Sequence, residues 1–497
     1  MDTVLCDELL QEIIERLPPS SSAAVSLVSK RWLAAIRFSI TTLSLRIPYA
    51  DSPPPLPTFS AFLSWFPNLS SLTVLSSPFD DDGESYPPSL LALALALPPA
   101  VSSDALFLAV SSSPCAGRLS YLKFAVDSPV SSTVLLSSSS SLSNLGSLCL
   151  SSLTPISLRW LAALPCLKSL SLQFRSKPAE DIETFDFDEG EDSDNCAVAM
   201  LPLENLLLSG ISASHRAMTF LWRRCGNLRQ LRLRSCEGTG DGPSCPWFSL
   251  CLPGLRELEL RACRVICDRV LLLAADHCLS LTSLLLHDGG SSEALHHFLT
   301  QRVAGLRTLD LRLPLDLHNY HLSTIAATER SNFPPLSTLR LQSCCLVTGD
   351  GLRALARAAA GEAIEELALV NCDVVEREPG LLTFLGQSLR RLRRLDLSYN
   401  DTLVDKVLAA MLVSCNELVE IRLRGCGRLT DAAVLSLLKF CGSKLEFVDL
   451  SQCPGIGVLG IESIVFTSCA LIHISVEKQK ISEAAMNSVL SRAIKVG

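Results

Sequence analysis

The sequence lacks the basic excess that a dedicated nucleic-acid surface requires. Its 497 residues carry 43 Lys and Arg against 51 Asp and Glu, for a net charge of -8. A phosphate-binding surface needs many cationic contacts, so a DNA-binding or RNA-binding protein is disfavoured. Long apolar runs are also missing. The most apolar run, Leu90 to Leu97, ends at Pro98 and Pro99, well short of the ~20 residues of a membrane span. We therefore expect neither a nucleic-acid partner nor a membrane span.

Motifs for catalysis and for metal binding are missing as well. The chain contains no C-x-x-C pair, no H-E-x-x-H, no G-x-S-x-G and no Gly-rich phosphate loop. Its closely spaced histidines are His296 with His297 and His318 with His321, and no Asp, Glu or Cys partner recurs beside them. We expect no catalytic residue, no metal site and no cofactor, so the protein is predicted not to be an enzyme.

One repeated pattern, L-x-x-L-x-L with Ile, Val or Phe also allowed, runs through most of the chain. From Leu203 onward its instances are 25 to 30 residues apart, a spacing typical of leucine-rich repeats. Clear instances begin at Leu228, Leu255, Leu336, Ile364, Leu392, Leu418 and Leu445, and shorter forms begin at Leu69, Leu119, Leu145, Leu167, Leu203, Leu281, Leu306 and Leu471.

Each repeat predicts one strand and one helix. The alternating Leu-x-Leu indicates a short strand with one face in the core. The remainder has helical periodicity, as in TDAAVLSLLKFC, where Ala433, Val434, Leu437 and Leu438 share a face behind a start signal at Thr430. One such unit cannot bury both of its apolar faces alone, so neighbours must stack. Residues 40–497 are therefore predicted to form an α/β solenoid of about fifteen repeats, a horseshoe with parallel strands on the concave face and helices outside.

The twenty cysteines fit this repeat and do not indicate a disulfide framework. Six of them stand at the turn after the strand, where the leucine-rich pattern carries Asn or Cys, and Asn400 takes that place in its own repeat. Three more stand three residues before a repeat begins. The six are Cys236, Cys263, Cys344, Cys372, Cys426 and Cys453, and the three are Cys225, Cys278 and Cys415. Buried reduced thiols suit both places, and the start MDTVLCDELL lacks the basic residues of a secretory signal. We expect the nucleus and/or the cytoplasm.

The pattern is least regular between residues 48 and 202, where prolines and serine runs interrupt it. The 36-residue step from Leu167 to Leu203 contains EDIETFDFDEGEDSDN. A segment so acidic and so poor in apolar residues is typical of disorder. Residues 176–199 are therefore predicted to form a disordered acidic loop, which is either a solvated insertion or an acidic flap or modifiable segment around Ser193.

Residues 1–39 do not follow the repeat and instead predict two amphipathic helices. LCDELLQEIIERLPP places Leu9, Leu10, Ile13, Ile14 and Leu17 on one helical face, with Asp7 and Glu8 in the first turn. Pro18 and Pro19 end that helix. The second helix, in AAVSLVSKRWLAAIRF, carries Val25, Val28, Trp32, Ala35 and Ile36 on its apolar face.

This segment resembles an F-box. The family pattern is L-P-x-E-L-L-x-x-I, then L-P, then Leu-Val-x-(Lys/Arg)-x-Trp, and it is matched here by Leu5, Glu8, Leu9, Leu10, Ile13, Leu17, Pro18, Leu27, Val28, Lys30 and Trp32. ITTLSL then reads as a first, degenerate strand directly after the helices. The chain as a whole is similar to F-box/leucine-rich-repeat proteins, including plant ones with cysteine-bearing repeats.

The resemblance implies a substrate receptor of a Skp-cullin-F-box ubiquitin ligase, a non-catalytic subunit. Its F-box would bind a Skp-type adaptor, and through it a cullin, while the repeats hold a target protein for ubiquitin-dependent degradation. Carried over residue by residue, the adaptor contact would comprise Leu5, Leu9, Leu10, Ile13, Leu17, Pro18, Val28 and Trp32. Two alternatives stay open. In one, the helices only cap an interaction scaffold; in the other, the concave face binds a small hormone-like molecule.

A candidate site for the target protein follows from the strand positions that face away from the core. In the last outward position of four successive repeats stand Arg234, Arg261, His287 and Arg312, and Arg340 stands in the neighbouring position of the next repeat. Parallel strands lie ~4.8 Å apart, so these residues would form a basic stripe that attracts an acidic or phosphorylated ligand. Acidic residues alternate with Arg in the neighbouring lane, and cross-strand pairing with them could neutralise much of the stripe.

Overall fold

The computed structural model describes residues 5–17, 21–46, 56–75, 103–126, 129–153, 157–174, 199–212, 217–240, 247–313, 316–327 and 335–497. The chain divides into two compact units, Met1–Leu252 and Pro253–Gly497. Among the described residues, no helix is long and apolar enough to cross a bilayer. Pro18 and all but the last residue of the predicted acidic loop at 176–199 lie outside the described ranges.

The first unit begins with three helices, which are followed by parallel strands that pair in chain order. Short 3-10 helices at Ala116–Arg118, Ser139–Leu142, Arg159–Ala163 and Trp247–Cys251 join or replace some of the α-helices. The elements are α1 (Asp7–Arg16), α2 (Ser22–Ser26), α3 (Lys30–Ser39), β1 (Thr42–Arg46), α4 (Leu56–Leu63), β2 (Ser71–Leu75), α5 (Ser103–Ser111), β3 (Tyr121–Ala125), α6 (Ser132–Ser138), β4 (Ser147–Leu153), β5 (Ser169–Phe174), β6 (Asn205–Ser209), α7 (Met218–Trp222) and β7 (Gln230–Arg234).

The second unit is more regular, and its strands again pair in parallel and in chain order. Its elements are β8 (Glu257–Arg261), α8 (Cys267–His277), β9 (Ser283–His287), α9 (Ser292–Arg302), β10 (Thr308–Arg312), α10 (Asn319–Ala326), β11 (Thr338–Gln342), α11 (Gly349–Arg357), α12 (Ala359–Glu362), β12 (Glu366–Val370), α13 (Asp373–Arg377), α14 (Leu381–Ser388), β13 (Arg394–Asp396), α15 (Asp405–Leu412), β14 (Glu420–Arg422), α16 (Asp431–Cys441), β15 (Phe447–Asp449), α17 (Val458–Thr467), β16 (His473–Ser475), α18 (Glu483–Ser491) and β17 (Lys495–Val496).

The fifteen repeat anchors read from the sequence coincide with the strands. Each strand from β2 to β16 begins two residues after an anchor, as β8 begins at Glu257 after Leu255. Within most strands burial alternates, because the second and fourth side chains enter the core while the others face outward. The predicted degenerate strand is present as β1. β17 has no counterpart among the predicted strands, since KV is too short to carry the motif.

The predicted helix of each repeat forms fully in only part of the chain. α16 covers TDAAVLSLLKFC as expected, with Ala433, Val434 and Leu437 buried and Thr430 capping its first turn. Between Leu145 and Leu167, in contrast, the described residues after β4 form only the 3-10 helix Arg159–Ala163. A step of 22 residues leaves too little chain for a helix of three turns beside a strand and two turns.

Helices of neighbouring repeats are joined by a recurring hydrogen bond. A carboxylate or amide oxygen in the first turn of one helix accepts the backbone N–H of the residue that precedes the next repeat's helix. The pairs, with their N to O distances, are Asp104 with Ser131 (2.7 Å), Asp268 with Ser291 (2.7 Å), Asn319 with Thr348 (2.9 Å), Asp405 with Thr430 (2.9 Å) and Asp431 with Gly457 (2.8 Å).

The cysteines predicted at the turn after the strand are buried. Thiols at these positions donate to a carbonyl oxygen of the preceding strand segment, as Cys426 does to Leu397 at 3.2 Å and Cys453 to Leu423 at 2.9 Å. The second cysteine set is buried too. Burial raises the pKa of the Cys225, Cys278 and Cys415 thiols to about 12 in each case, so they stay protonated at neutral pH.

Candidate interaction surfaces

The predicted basic residues of the second unit lie side by side on adjacent strands. Arg261 on β8 is in register with His287 on β9, which is in register with Arg312 on β10. Arg340 stands one outward position earlier on β11. Arg234 ends β7 of the first unit, where it is in register with Ser209.

Two of these arginines are compensated by a carboxylate of their own strand. Arg312 makes a two-pronged ion pair with Asp310, with Nε to Oδ1 at 2.9 Å and Nη2 to Oδ2 at 2.8 Å. Arg261 pairs with Glu259, with Nε to Oε1 at 2.5 Å. The hydrogen bond that Arg312 donates to Asp310 raises the pKa of Arg312 above its ordinary value. The two-pronged pair occupies the Nε and Nη2 donors of Arg312, which a bound anion would otherwise accept from.

His287 lies between the two paired arginines and is held neutral. Desolvation lowers the pKa of His287, and the positive charges of Arg261 and Arg312 lower it further. A histidine with a lowered pKa is uncharged at pH 7, because the ordinary value is already below neutrality. The stripe therefore carries no additional positive charge at this position.

Arg340 is the centre of a network that crosses three strands. Its guanidinium lies 3.0 Å from Glu366 on β12, 3.4 Å from Asp396 on β13 and 4.0 Å from Asp310 on β10. Ala368 is the residue of β12 that is in register with both Arg340 and Asp396, and its small side chain leaves the path open. The surface around Arg340 is thus balanced in charge. Substrate binding by Arg234, Arg261, His287, Arg312 and Arg340 stays a prediction.

The N-terminal helices are held together by one arginine. Arg31 on α3 donates to Asp7 at the start of α1, with Nη2 to Oδ1 at 2.6 Å, and to the Leu5 carbonyl oxygen at 2.6 Å. Ser29 accepts the Trp32 N–H at 3.3 Å and so caps α3. Glu8 occupies the first turn of α1 as predicted, and hydrogen bonds to its carboxylate from backbone N–H and from Cys6 lower its pKa.

These helices leave several large apolar side chains in solvent. The exposed fractions are 49% for Leu9, 37% for Ile13, 86% for Leu27 and 64% for Val28. Leu10, the chain neighbour of Leu9, is only 1% exposed and packs inside the unit. A single exposed leucine is ordinary, but four on a segment of about 20 residues indicate a surface that a partner covers.

The other residues of the predicted adaptor contact are less accessible. Leu5, Leu17 and Trp32 are half-buried, so only part of each side chain is accessible to a partner. Leu10 supports α1 from inside and has no surface to offer a partner. Pro18 lies outside the described residues.

The comparison with protein families matches the N-terminal helices and the residues just before β1. A family model described as the F-box domain covers residues 3–41. The N-terminal segment is an F-box domain. The predicted F-box is therefore confirmed, and its last helix, α3, ends at Ser39. The boundary at residue 39 stays a prediction. The F-box nevertheless belongs to the same compact unit as β1 to β7.

Two solved structures align with most of the chain. A chain in the crystal structure of the yeast Rad7 and Elc1 complex is 13% identical, with 96% of this chain and 90% of that chain covered and a TM-score of 0.39. An internalin from Listeria monocytogenes is 14% identical, with 90% and 94% covered and a TM-score of 0.34. Together with the parallel strands described above, the F-box match confirms an α/β leucine-rich-repeat solenoid behind an N-terminal F-box.

The F-box is fixed firmly to the first repeats. Two residues separate α3 from β1, which pairs with β2 along its whole length. The Asn68 side-chain amide donates to the Phe38 carbonyl oxygen at 2.9 Å, and the Arg37 guanidinium lies 4.1 Å from the centre of the Trp65 ring. These contacts hold the end of α3 against the segment that precedes β2.

Sequence reasoning missed Leu27 as an F-box surface residue. The family motif includes Leu27 but the predicted adaptor contact does not, although its side chain is the most exposed of the four. Leu27 follows the last residue of α2 and stands in the tight turn before Ser29. A large apolar residue in a turn between two short helices has little interior to enter, and that position was the available signal.

Proposed function

We propose that the chain is the substrate-recognition subunit of a Skp-cullin-F-box ubiquitin ligase. Its F-box binds a Skp-type adaptor, which links it to a cullin, and its repeats hold a target protein for ubiquitin-dependent degradation. The observation that carries the proposal is the exposed apolar set Leu9, Ile13, Leu27 and Val28 on a segment that matches the F-box model. Burying each such side chain on binding contributes about 1.5 to 3 kcal/mol, so the set suits a stable partner.

Under this proposal the chain contributes binding and positioning, and the covalent steps of ubiquitin transfer belong to partner subunits. No cofactor is required. Free thiols, most of them buried, suit the reducing interior of the nucleus or the cytoplasm, where such a ligase acts. The strand face of the second unit, with its paired charges around Arg340, is suited to a polar protein surface.

Adaptor capture by the full chain tests the proposal. The variant Leu9→Glu with Val28→Glu places two charges on the exposed set without disturbing the interior, so we expect capture of a Skp-type adaptor to fall by more than about tenfold. The matched control is Leu435→Glu with Leu459→Glu, which charges two exposed leucines on α16 and α17 of the second unit. The control is expected to capture the adaptor like the wild type.

Folding is checked by circular dichroism and the melting temperature of all three proteins. Leu10→Ala is unsuited to this experiment, because removing a buried leucine costs about 2 to 5 kcal/mol and would mix unfolding with loss of contact. If the folded wild type captures no adaptor, or if both double variants lose capture equally, the ligase proposal is wrong. The F-box helices would then act as a cap on an interaction scaffold.

A further inference from the structure

The turn that follows β13 holds a bulky side chain in the left-handed backbone region. Tyr399 has a φ of +60°, a conformation that favours glycine and small polar residues. The equivalent turn positions of neighbouring repeats are occupied by Ser343, Asn371 and Gly425, and Tyr399 is the only aromatic residue with a positive φ among the described residues. Strained positions occupied by unfavourable residues are typical of functional surfaces.

The tyrosine ring packs in the space that a side chain at Gly425 of the next repeat would occupy. A Cβ atom at Gly425 would lie 2.6 Å from Cδ1 and 2.9 Å from Cε1 of Tyr399, so the ring rests directly against the Gly425 backbone. The side chain is nevertheless exposed. Tyr399 is therefore a preorganised aromatic surface, and a partner that stacks on it loses little conformational entropy.

Arg424 lies beside this ring with its charge uncompensated. Its guanidinium carbon is 5.9 Å from the centre of the Tyr399 ring. The nearby carboxylates are committed to other donors: Asp396 to Arg340 and a backbone N–H, Asp449 to the N–H and hydroxyl of Ser451. Among the residues that the structure describes, Arg424 has no ion pair. Arg340, in contrast, is surrounded by three acids.

We propose that Tyr399 and Arg424 form a docking site for an acidic peptide segment of a protein partner. Arg424 binds an Asp or Glu carboxylate of that segment, and the Tyr399 ring packs against the apolar atoms beside it. Tyrosine and arginine are among the residue types most enriched at the energetic centres of protein interfaces. The identification of that partner as a ubiquitylation target rests on the proposed function, whereas the site itself does not.

An array of random peptides, probed with the full labelled chain, tests the site. On wild-type protein we expect the bound peptides to be enriched in Asp and Glu, with signals about tenfold above those of peptides without an acid. Arg424→Gln is expected to abolish the enrichment, and Tyr399→Ala to lower the signal of the acidic peptides about tenfold. Gly425→Ala displaces the ring without removing it and should resemble Tyr399→Ala. Arg307→Gln, which neutralises an exposed arginine just before β10, is the matched control and should keep the enrichment.

The melting temperature of each variant establishes that it is folded. The proposal is overturned if the wild type shows no preference for acidic peptides, if folded Arg424→Gln keeps the preference, or if Arg307→Gln loses it equally. Adaptor capture, measured on the same proteins, separates this inference from the proposed function. All three substitutions at the site should leave capture unchanged. A chain that captures no adaptor but still selects acidic peptides through Arg424 would refute the ligase role alone.

Discussion

Replacing Asn400 by alanine should destabilise the second unit more than any single cysteine substitution at the equivalent turns. The Asn400 side chain is buried and makes three good hydrogen bonds. Its Nδ2 donates to the carbonyl oxygens of Leu369 at 2.8 Å and Leu397 at 2.7 Å, and its Oδ1 accepts the Cys372 N–H at 3.0 Å. Each buried group left unpaired costs about 1 to 3 kcal/mol, so we expect Asn400→Ala to lower the free energy of unfolding by about 3 to 5 kcal/mol.

Asn400→Cys provides the matched comparison, because cysteine is what neighbouring repeats use here. A thiol at position 400 can donate to the Leu369 carbonyl, as Cys426 donates to Leu397, but its sulfur accepts the Cys372 N–H only weakly compared with an amide oxygen. The expected loss is then about 1 to 3 kcal/mol. Denaturant unfolding followed by circular dichroism measures both losses, and hydrogen exchange of the Cys372 amide should speed up in both variants. Equal stability of the two variants, or unchanged exchange at Cys372, would refute the hydrogen-bond reasoning.

Three further outcomes are expected. Ala368→Leu should block the path of the Arg340 guanidinium and cost about 1 to 3 kcal/mol, measured by denaturant unfolding, and an unchanged midpoint would contradict the network. His321 is buried, and burial lowers its pKa, so the unfolded chain binds more protons and stability should fall as the pH drops from about 7.5 to 5.5. His321→Gln should flatten part of that dependence of the melting temperature; an identical slope would exclude this residue. Asp405→Ala removes the acceptor of the Thr430 N–H and should lower the free energy of unfolding by about 0.5 to 2 kcal/mol, measured by thermal unfolding. An unchanged melting temperature would contradict a stabilising role for this bond.

The strands were predictable because the spacing of the repeated leucines determines which residues of each strand enter the core. An anchor such as Leu255 is buried, and the two alternating leucines that follow it, Leu258 and Leu260, are buried as well. A period of two leaves no choice of face once those residues enter the core. The F-box was predictable for a similar reason, because its motif order is specific.

The partition of the F-box residues between interior and surface was not predictable. Leu9 and Leu10 are adjacent and chemically identical, and both fall on the apolar half of α1, yet one is half exposed and the other is buried. Which of them enters the interior depends on how α3 packs against α1, through the contact of Arg31 with Asp7, and helical periodicity contains no such information. The pairing of Arg340 with acids on three strands depends in the same way on side-chain reach and on the small size of Ala368.

The hydrogen bond that links successive helices bears on how the array can change in length. Asp431 accepts the Gly457 N–H from the following repeat, and the Thr430 N–H is in turn accepted by Asp405 of the preceding one. A repeat of this kind therefore brings one acceptor for its successor and one donor for its predecessor. When such a segment is duplicated in tandem, the new copy supplies the partner for both neighbours, so this hydrogen bond is kept at each new junction. The number of repeats can therefore change during evolution without compensating substitutions to restore the hydrogen bond between neighbouring helices.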